Sequence, residues 1–355
     1  MRVLTVFATS ICIMLSFASP IFSASSAKPH VVILTTGGGI SGSLFSKSDT
    51  EFSVGNISGE AMLLDIKEIN DQVDLSVESI SSLASQDMTH EVLYKLAQRV
   101  NALLKKSSVN GIVITHGTDT IEETAYLLNL VVNSKKPVVL VGATRPYNHF
   151  SPDGPSNLFD AINVAASTQA KNRGVLVALN NRIHSARDVQ KLSTYGTDSV
   201  GSGQMGQLGY VYSGIVKLYF TPTTTHTYLS EFRPADIKKL PHVAILYAHP
   251  EFSLSMIDTI KRQNVKGIVI AGTGNGNMNE AMLELVKQAR EKGMIVVRSS
   301  RTGSGTVTPV SELNDRKLGL ITGDNLSPQK ARTLLMMSLT KTNDLVKIQR
   351  YFDTY

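Results

Sequence analysis

Two short threonine-bearing motifs carry the most reactive groups in this chain. The first, Thr35-Thr36-Gly37-Gly38-Gly39-Ile40-Ser41-Gly42, follows directly on the apolar stretch Val31 to Leu34. The second, Thr115-His116-Gly117-Thr118-Asp119-Thr120, follows Gly111 to Ile114 and runs into a helical pattern. A hydroxyl at a strand end becomes a nucleophile once a neighbouring base takes its proton. The free backbone N–H groups of a helix start favour negative charge, so Thr118 and Asp119 occupy a place suited to a carboxylate or an oxyanion. The plainer alternative is that they only help cap that helix, with Thr120 and Glu123 forming a capping box.

A third segment, Arg187-Asp188-Val189-Gln190-Lys191, offers a lysine near a carboxylate. Burial would lower the pKa of such a lysine and make it a base; on the surface it is a solvated charge. His116 has no accompanying serine or cysteine motif and is assigned no catalytic part. Two polar turns, Ser85-Gln86-Asp87-Met88 and Gly272-Thr273-Gly274-Asn275-Gly276-Asn277, lie beside predicted strands. Gly37, Gly39 and Gly42 match the spacing of a dinucleotide fingerprint, but that fingerprint must open a helix. Here Ser43 to Thr50 are polar and lack apolar periodicity, which reads as a flexible loop or a hairpin. The glycines are better explained as a turn that exposes the Thr36 hydroxyl and admits a ligand.

The elements that must hold these groups alternate. Val31 to Leu34, Leu75 to Ile80, Gly111 to Ile114, Pro137 to Val141 and Gly174 to Leu179 read as strands, with helical patterns over Glu91 to Leu104, Glu122 to Val132 and Asn157 to Ala166. Beyond a threonine-rich stretch, a second series begins with Val243 to Tyr247, Gly267 to Ala271 and Met294 to Val297. This pattern predicts an α/β fold with a larger N-terminal and a smaller C-terminal domain, each a mostly parallel sheet flanked by helices. Ligands of such sheets bind at the carboxyl ends of the strands. The expected division is a signal peptide over 1–27, domains over 28–219 and 242–355, and a linker over 220–241. Helix starts are predicted at Ser327-Pro328 and, as a capping box, at Asn277 with Glu280.

Composition narrows the classes. The chain has 355 residues, 42% of them hydrophobic, which is enough for two cores. Its net charge of +6 is spread over isolated pairs such as Lys105-Lys106, so no nucleic-acid partner is expected. Arg2, the apolar run Val3 to Phe17 and the small residues Ser23 to Ala27 have the order of a secretory signal, with cleavage after Ser25 or Ala27. The run is short for a bilayer, and no membrane span is expected after its removal. The only cysteine, Cys12, lies inside that segment, so cysteine nucleophiles and cysteine-bound metals are excluded from the mature chain.

Taken together, Thr36-Gly37-Gly38, Ser85-Gln86-Asp87-Met88, His116 to Thr120, Lys191, Gly274 to Asn277 and Arg298-Ser299-Ser300-Arg301 occur in the order and spacing of bacterial type II L-asparaginases. The chain resembles that family from about Val31 to its C-terminus. The resemblance implies hydrolysis of L-asparagine to L-aspartate and ammonia in the periplasm, by a homotetramer, without metal or organic cofactor. It implies Thr36 as nucleophile and Thr118, Asp119 and Lys191 as the proton-handling group. Ser85, Gln86 and Asp119 would hold the substrate, with Asn277 and Glu312 reaching in from a neighbouring subunit. Gln86 and Asn277 resemble the asparagine-preferring members, so L-glutamine hydrolysis is expected to be weaker.

Departures are visible too. Phe52 stands where the family usually has a tyrosine assisting the nucleophile, and phenylalanine cannot relay a proton. A catalytically impaired amino-acid-binding relative is therefore the alternative. Gly39 replaces a common threonine, and Lys106 and Ser134 stand where some relatives form a disulfide.

Overall fold

The computed structural model describes residues 27–46, 51–255 and 263–355. Apart from Ala27, the expected signal peptide lies outside the described residues. Among the described residues, no helix is long and apolar enough to cross a membrane.

The N-terminal part is built on an eight-stranded sheet ordered β12-β11-β8-β7-β6-β5-β1-β4. These strands are β1 (His30–Gly37), β4 (Asp74–Leu83), β5 (Gly111–Thr115), β6 (Val138–Val141), β7 (Val175–Leu179), β8 (Arg182–Ser185), β11 (Gly209–Tyr212) and β12 (Ile215–Leu218). From β4 through β7 every pairing is parallel, while β8, β11 and β12 extend the sheet antiparallel. The apolar runs alternate faces as a strand must. Val32, Leu34, Ile112 and Ile114 enter the core under helices His90–Leu104 and Ile121–Val131. Val31, Ile33 and Val113 enter the opposite core, under helix Gly154–Ala166. Burial on both faces explains why these strands read as unbroken hydrophobic stretches.

A second sheet, ordered β13-β14-β15-β16, is parallel throughout: β13 (Val243–Tyr247), β14 (Gly267–Gly272), β15 (Ile295–Ser300) and β16 (Ile321–Thr322). The α/β expectation is therefore met, with a large mostly parallel sheet and a separate smaller one. The expected linker 220–241 carries the short helix Pro234–Ile237. Its Phe232 is fully buried, with ring centroids of Tyr351 and Tyr355 each 5.2 Å away.

Three helix starts differ in detail from expectation. Thr120 is at the N-cap of helix Ile121–Val131, but its hydroxyl donates to the Ser85 carbonyl (2.7 Å), so no capping box forms. Asn279, not Asn277, caps helix Glu280–Glu291, accepting from the Met282 N–H (2.9 Å). Ser327 occupies the N-cap before Pro328 without a side-chain capping bond.

The smaller sheet is organised around a buried charge. Arg298, fully buried on β15, donates from Nε to Asp315 Oδ1 (2.6 Å) and from Nη2 to Asp315 Oδ2 (2.9 Å). Its Nη1 reaches the Asn275 carbonyl (2.6 Å) and Nη2 also reaches the Thr308 carbonyl. One guanidinium thus fixes the Gly272–Asn277 turn against the following loop. Truncating one partner of such a pair strands the other charge in the core, at a cost of about 3–5 kcal/mol. Arg298→Met should lower unfolding stability by that order. An unchanged urea midpoint would show that the pair is not structural.

Candidate active site

Chain order places the two threonine motifs together. The order β4-β1-β5-β6-β7 means the chain leaves β1 to one side, for β4, and returns on the other side, to β5. That reversal beside β1 and β5 is a switch point, and the strand ends there are the ligand position of open α/β sheets. Thr35 is in register with Thr115, and Thr36, buried at the end of β1, donates its hydroxyl to the Thr115 carbonyl (2.7 Å).

Two glycines make this approach possible. At Gly38 (φ 82°) a Cβ would lie 2.3 Å from the Gly117 nitrogen, and at Gly37 (φ 110°) one would lie 2.3 Å from the Leu83 carbonyl oxygen. No side chain fits either gap, and both φ values suit glycine alone. The backbones of the two motifs are thereby in direct contact. Ser85 joins them, since a Cβ on Gly117 would meet its Oγ at 2.7 Å. Gln86 stands exposed beside it in the turn Ser85–Asp87.

Lys191 completes the cluster. It lies on β9 (Gln190–Lys191), which pairs antiparallel with β10 (Val200–Gly201). Its Nζ donates to Thr118 Oγ1 (2.6 Å) and pairs with Asp119 Oδ1 (3.0 Å). The lysine side chain is 16% exposed and that of Asp119 65%, so the ammonium is mostly enclosed while the carboxylate faces solvent. The surface alternative for Lys191 is thus set aside. Capping does not account for Thr118 either, because its hydroxyl is engaged by the lysine.

The segment after the glycines is a hairpin rather than a helix. β2 (Ser43–Leu44) pairs with β3 (Phe52–Ser53), and residues 47–50 lie outside the described residues. That removes the context a dinucleotide fingerprint needs. The Phe52 ring packs over the turn, and Cβ atoms built on Gly42 and Gly39 would meet it at 3.2 and 3.8 Å. A ring is present near the threonine turn, but it has no proton to exchange.

Asn277 and Glu312 lie in loops of the C-terminal part and, among the described residues, form no hydrogen bond or ion pair with Thr36, Thr118, Asp119 or Lys191. The Asn277 backbone pairs with Thr273, and its buried Oδ1 has no hydrogen-bond partner among the described residues. Glu312 is exposed in a loop.

Sequence reasoning missed Glu122, Gln329 and Lys330, which lie behind Lys191. Glu122 Oε1 accepts from Gln329 Nε2 (3.0 Å), and its Oε2 is 3.9 Å from Lys330 Nζ. A buried lysine in a helix looks like a solvent-facing one until its neighbours are known, so periodicity carried no signal for it.

His116 supports the turn. Its Nδ1 donates to the Gly117 carbonyl (2.7 Å), leaving Nε2 to accept from the Thr124 hydroxyl (2.9 Å). Burial pushes its pKa down to about 4, and likewise that of His184, from an ordinary 6.5. Below pH 6.5 the unfolded chain binds protons that these folded imidazoles refuse, so stability falls as pH drops toward about 4. Burial of Asp160 raises its carboxyl to about 6 and acts in the opposite sense, and one such group offsets one histidine. The net loss from these three groups should be roughly 3 kcal/mol. His116→Gln should flatten the fall in thermal midpoint between pH 6.5 and 4; an identical slope would remove His116 from it.

Paired threonines, a lysine and a carboxylate at the switch point of a mostly parallel α/β scaffold are the parts that amide hydrolysis calls for. Comparison with known proteins agrees. Residues 30–224 match the family "Asparaginase, N-terminal" and residues 242–352 match the "Glutaminase/Asparaginase C-terminal domain". "L-asparaginase 2" of Bacillus subtilis is 45% identical over 338 residues, covering 94% of this chain and 89% of that protein. "Probable L-asparaginase periplasmic" of Haemophilus influenzae is 42% identical, covering 92% and 93%. The solved structure of a "Probable Cytoplasmic L-asparaginase from Campylobacter jejuni" superposes with a TM-score of 0.86 at 40% identity, covering 92% of this chain and all of that one. The chain belongs to the asparaginase family, as an enzyme of the L-asparaginase type.

Proposed function

We propose that the chain hydrolyses the side-chain amide of L-asparagine through an acyl-enzyme on Thr36, giving L-aspartate and ammonia. The observation that carries this reading is the Lys191 ammonium at 2.6 Å from Thr118 Oγ1, beside the strand end that presents Thr36. Thr36 Oγ1 attacks the amide carbon, and its proton is relayed through the Thr118 hydroxyl and the Lys191 ammonium to the Asp119 carboxylate, the one member of the group with a lone pair to take it. That group returns a proton to the departing amine, so ammonia leaves and an ester remains. Water, deprotonated by the same group, then opens the ester and restores the Thr36 hydroxyl. The reaction as written needs no metal or organic cofactor.

The substrate is a zwitterion, and the cluster offers matching charge. Asp119 suits the α-ammonium, while Ser85, Gln86 and backbone N–H groups suit the α-carboxylate. Asn277, with its unpartnered Oδ1, and Glu312 serve the site of a neighbouring subunit in a homotetramer. The divisions at 28–219, 220–241 and 242–355 belong to the same reading, as does export to the periplasm through residues 1–27. L-glutamine is the weaker substrate.

Phe52 favours a second reading, an amino-acid-binding relative with impaired turnover. Thr36→Ala should reduce steady ammonia release by about 1,000-fold or more. A single burst of ammonia in the parent protein, without turnover, would support the binding relative instead. Phe52→Tyr should raise kcat by restoring a hydroxyl at the turn; an unchanged or lower rate would show that another group takes the Thr36 proton. Ammonia release from the two amides, compared at equal concentration, tests the preference, and equal or faster L-glutamine turnover overturns it.

A further inference from the structure

A second layer of charge lies under the Lys191 cluster, and the proposed reaction does not use it. Lys330, on helix Pro328–Leu339 of the C-terminal part, is fully buried. Its Nζ donates to the carbonyl of Arg187 (2.7 Å) and to that of Val189, two residues before Lys191. Glu122, also buried, sits in the first turn of the helix that follows Thr118 and Asp119. Its Oε1 takes a hydrogen bond from Gln329 (3.0 Å) and faces the Lys191 backbone N–H (3.5 Å). Its Oε2 has no hydrogen bond and lies 3.9 Å from the Lys330 ammonium, an ion-pair distance.

Such a pair is a poor way to stabilise a core, because desolvating two ions costs as much as their attraction returns. Burial draws the Lys330 ammonium down to about 8, lowered further by Arg187, while Glu122, Asp188 and Glu123 oppose the fall. What the pair does provide is a fixed junction. With Gln329, it joins the C-terminal helix, the helix start behind Thr118 and the backbone that carries Lys191.

We infer that Lys330 and Glu122 form a positioning couple that holds the Lys191 ammonium against Thr118 Oγ1, placing the proton-handling group under control of the C-terminal helix. This rests on the part given to Lys191 under the proposed function. Both residues are buried behind Lys191, so the couple acts on the chemical step and leaves binding alone. A misplacement of about 1 Å in such a group costs one to two orders of magnitude in rate.

The test measures steady-state ammonia release from L-asparagine by Lys330→Met, Glu122→Gln, their double variant and Lys191→Met. Each single variant of the couple should lose about tenfold or more in kcat with KM within about twofold, and its kcat–pH profile should shift. The double variant should be no slower than the worse single one, since both remove one junction. Folded variants with parental kcat and pH profile would overturn the inference, as would losses confined to KM. Should Lys330→Met fail to fold, Glu122→Gln, which keeps shape and loses only charge, decides between the same two outcomes. Lys191→Met separates the levels. Parental turnover there overturns the reading of the site itself, whereas abolished turnover beside unaffected couple variants overturns the couple alone.

Discussion

The contact between Gly38 and the backbone of Gly117 is the constraint on which the site depends. Two parallel strands hold their ladders about 4.8 Å apart, but the loops beyond them normally separate. Here a Cβ on Gly38 would fall 2.3 Å from the Gly117 nitrogen, so the loops remain in contact past the last ladder bond. Thr36 is thereby turned toward β5, with its hydroxyl on the Thr115 carbonyl, and the start of the helix carrying Thr118 and Asp119 is brought alongside. Because β1 is paired on both sides, with β4 and β5, and buried on both faces, the threonine it carries is held by a strand with ladder bonds along both edges.

The remaining groups are held by less regular structure. Lys191 sits on a ladder of two residues per strand, and its backbone is tied down by side chains from elsewhere in the chain. Asp119 lies in the open, where its attraction for Lys191 is weakened by water. The candidate site thus combines a firmly held Thr36 with a charged group whose backbone is contacted by side chains of the C-terminal part. Arg298 does comparable work in the smaller sheet, fixing the turn that bears Asn277.

How much of this could be read from the residues depended on range. The central strands and the long helices are unbroken or periodic apolar runs, and their positions agree with the structure to within a few residues. The antiparallel strands β8 to β12 escaped notice because each is two to four residues long and mostly polar on one face, as in Gly209–Tyr212, where exposed tyrosines alternate with buried positions. Capping signals misled for a physical reason. The Thr120 hydroxyl had a better partner in Ser85, thirty-five residues away, than in its own helix. Thr36, Thr118 and Asp119 stood out because their motifs follow predicted strand ends, while Lys191 stood out only through its neighbouring carboxylate and the order of motifs, its strand being too short to see. Glu122 and Lys330 did not, since a charge in a helix signals burial only through neighbours that sequence spacing does not reveal.

The two-residue ladder that bears Lys191 has a bearing on how the molecule should respond to warming. Regions with few backbone bonds open locally at a fraction of the free energy needed for global unfolding. Amide exchange around residues 190–201 would then outpace that of the central strands, and inactivation on heating would begin as a reversible local event with the rest of the architecture still intact.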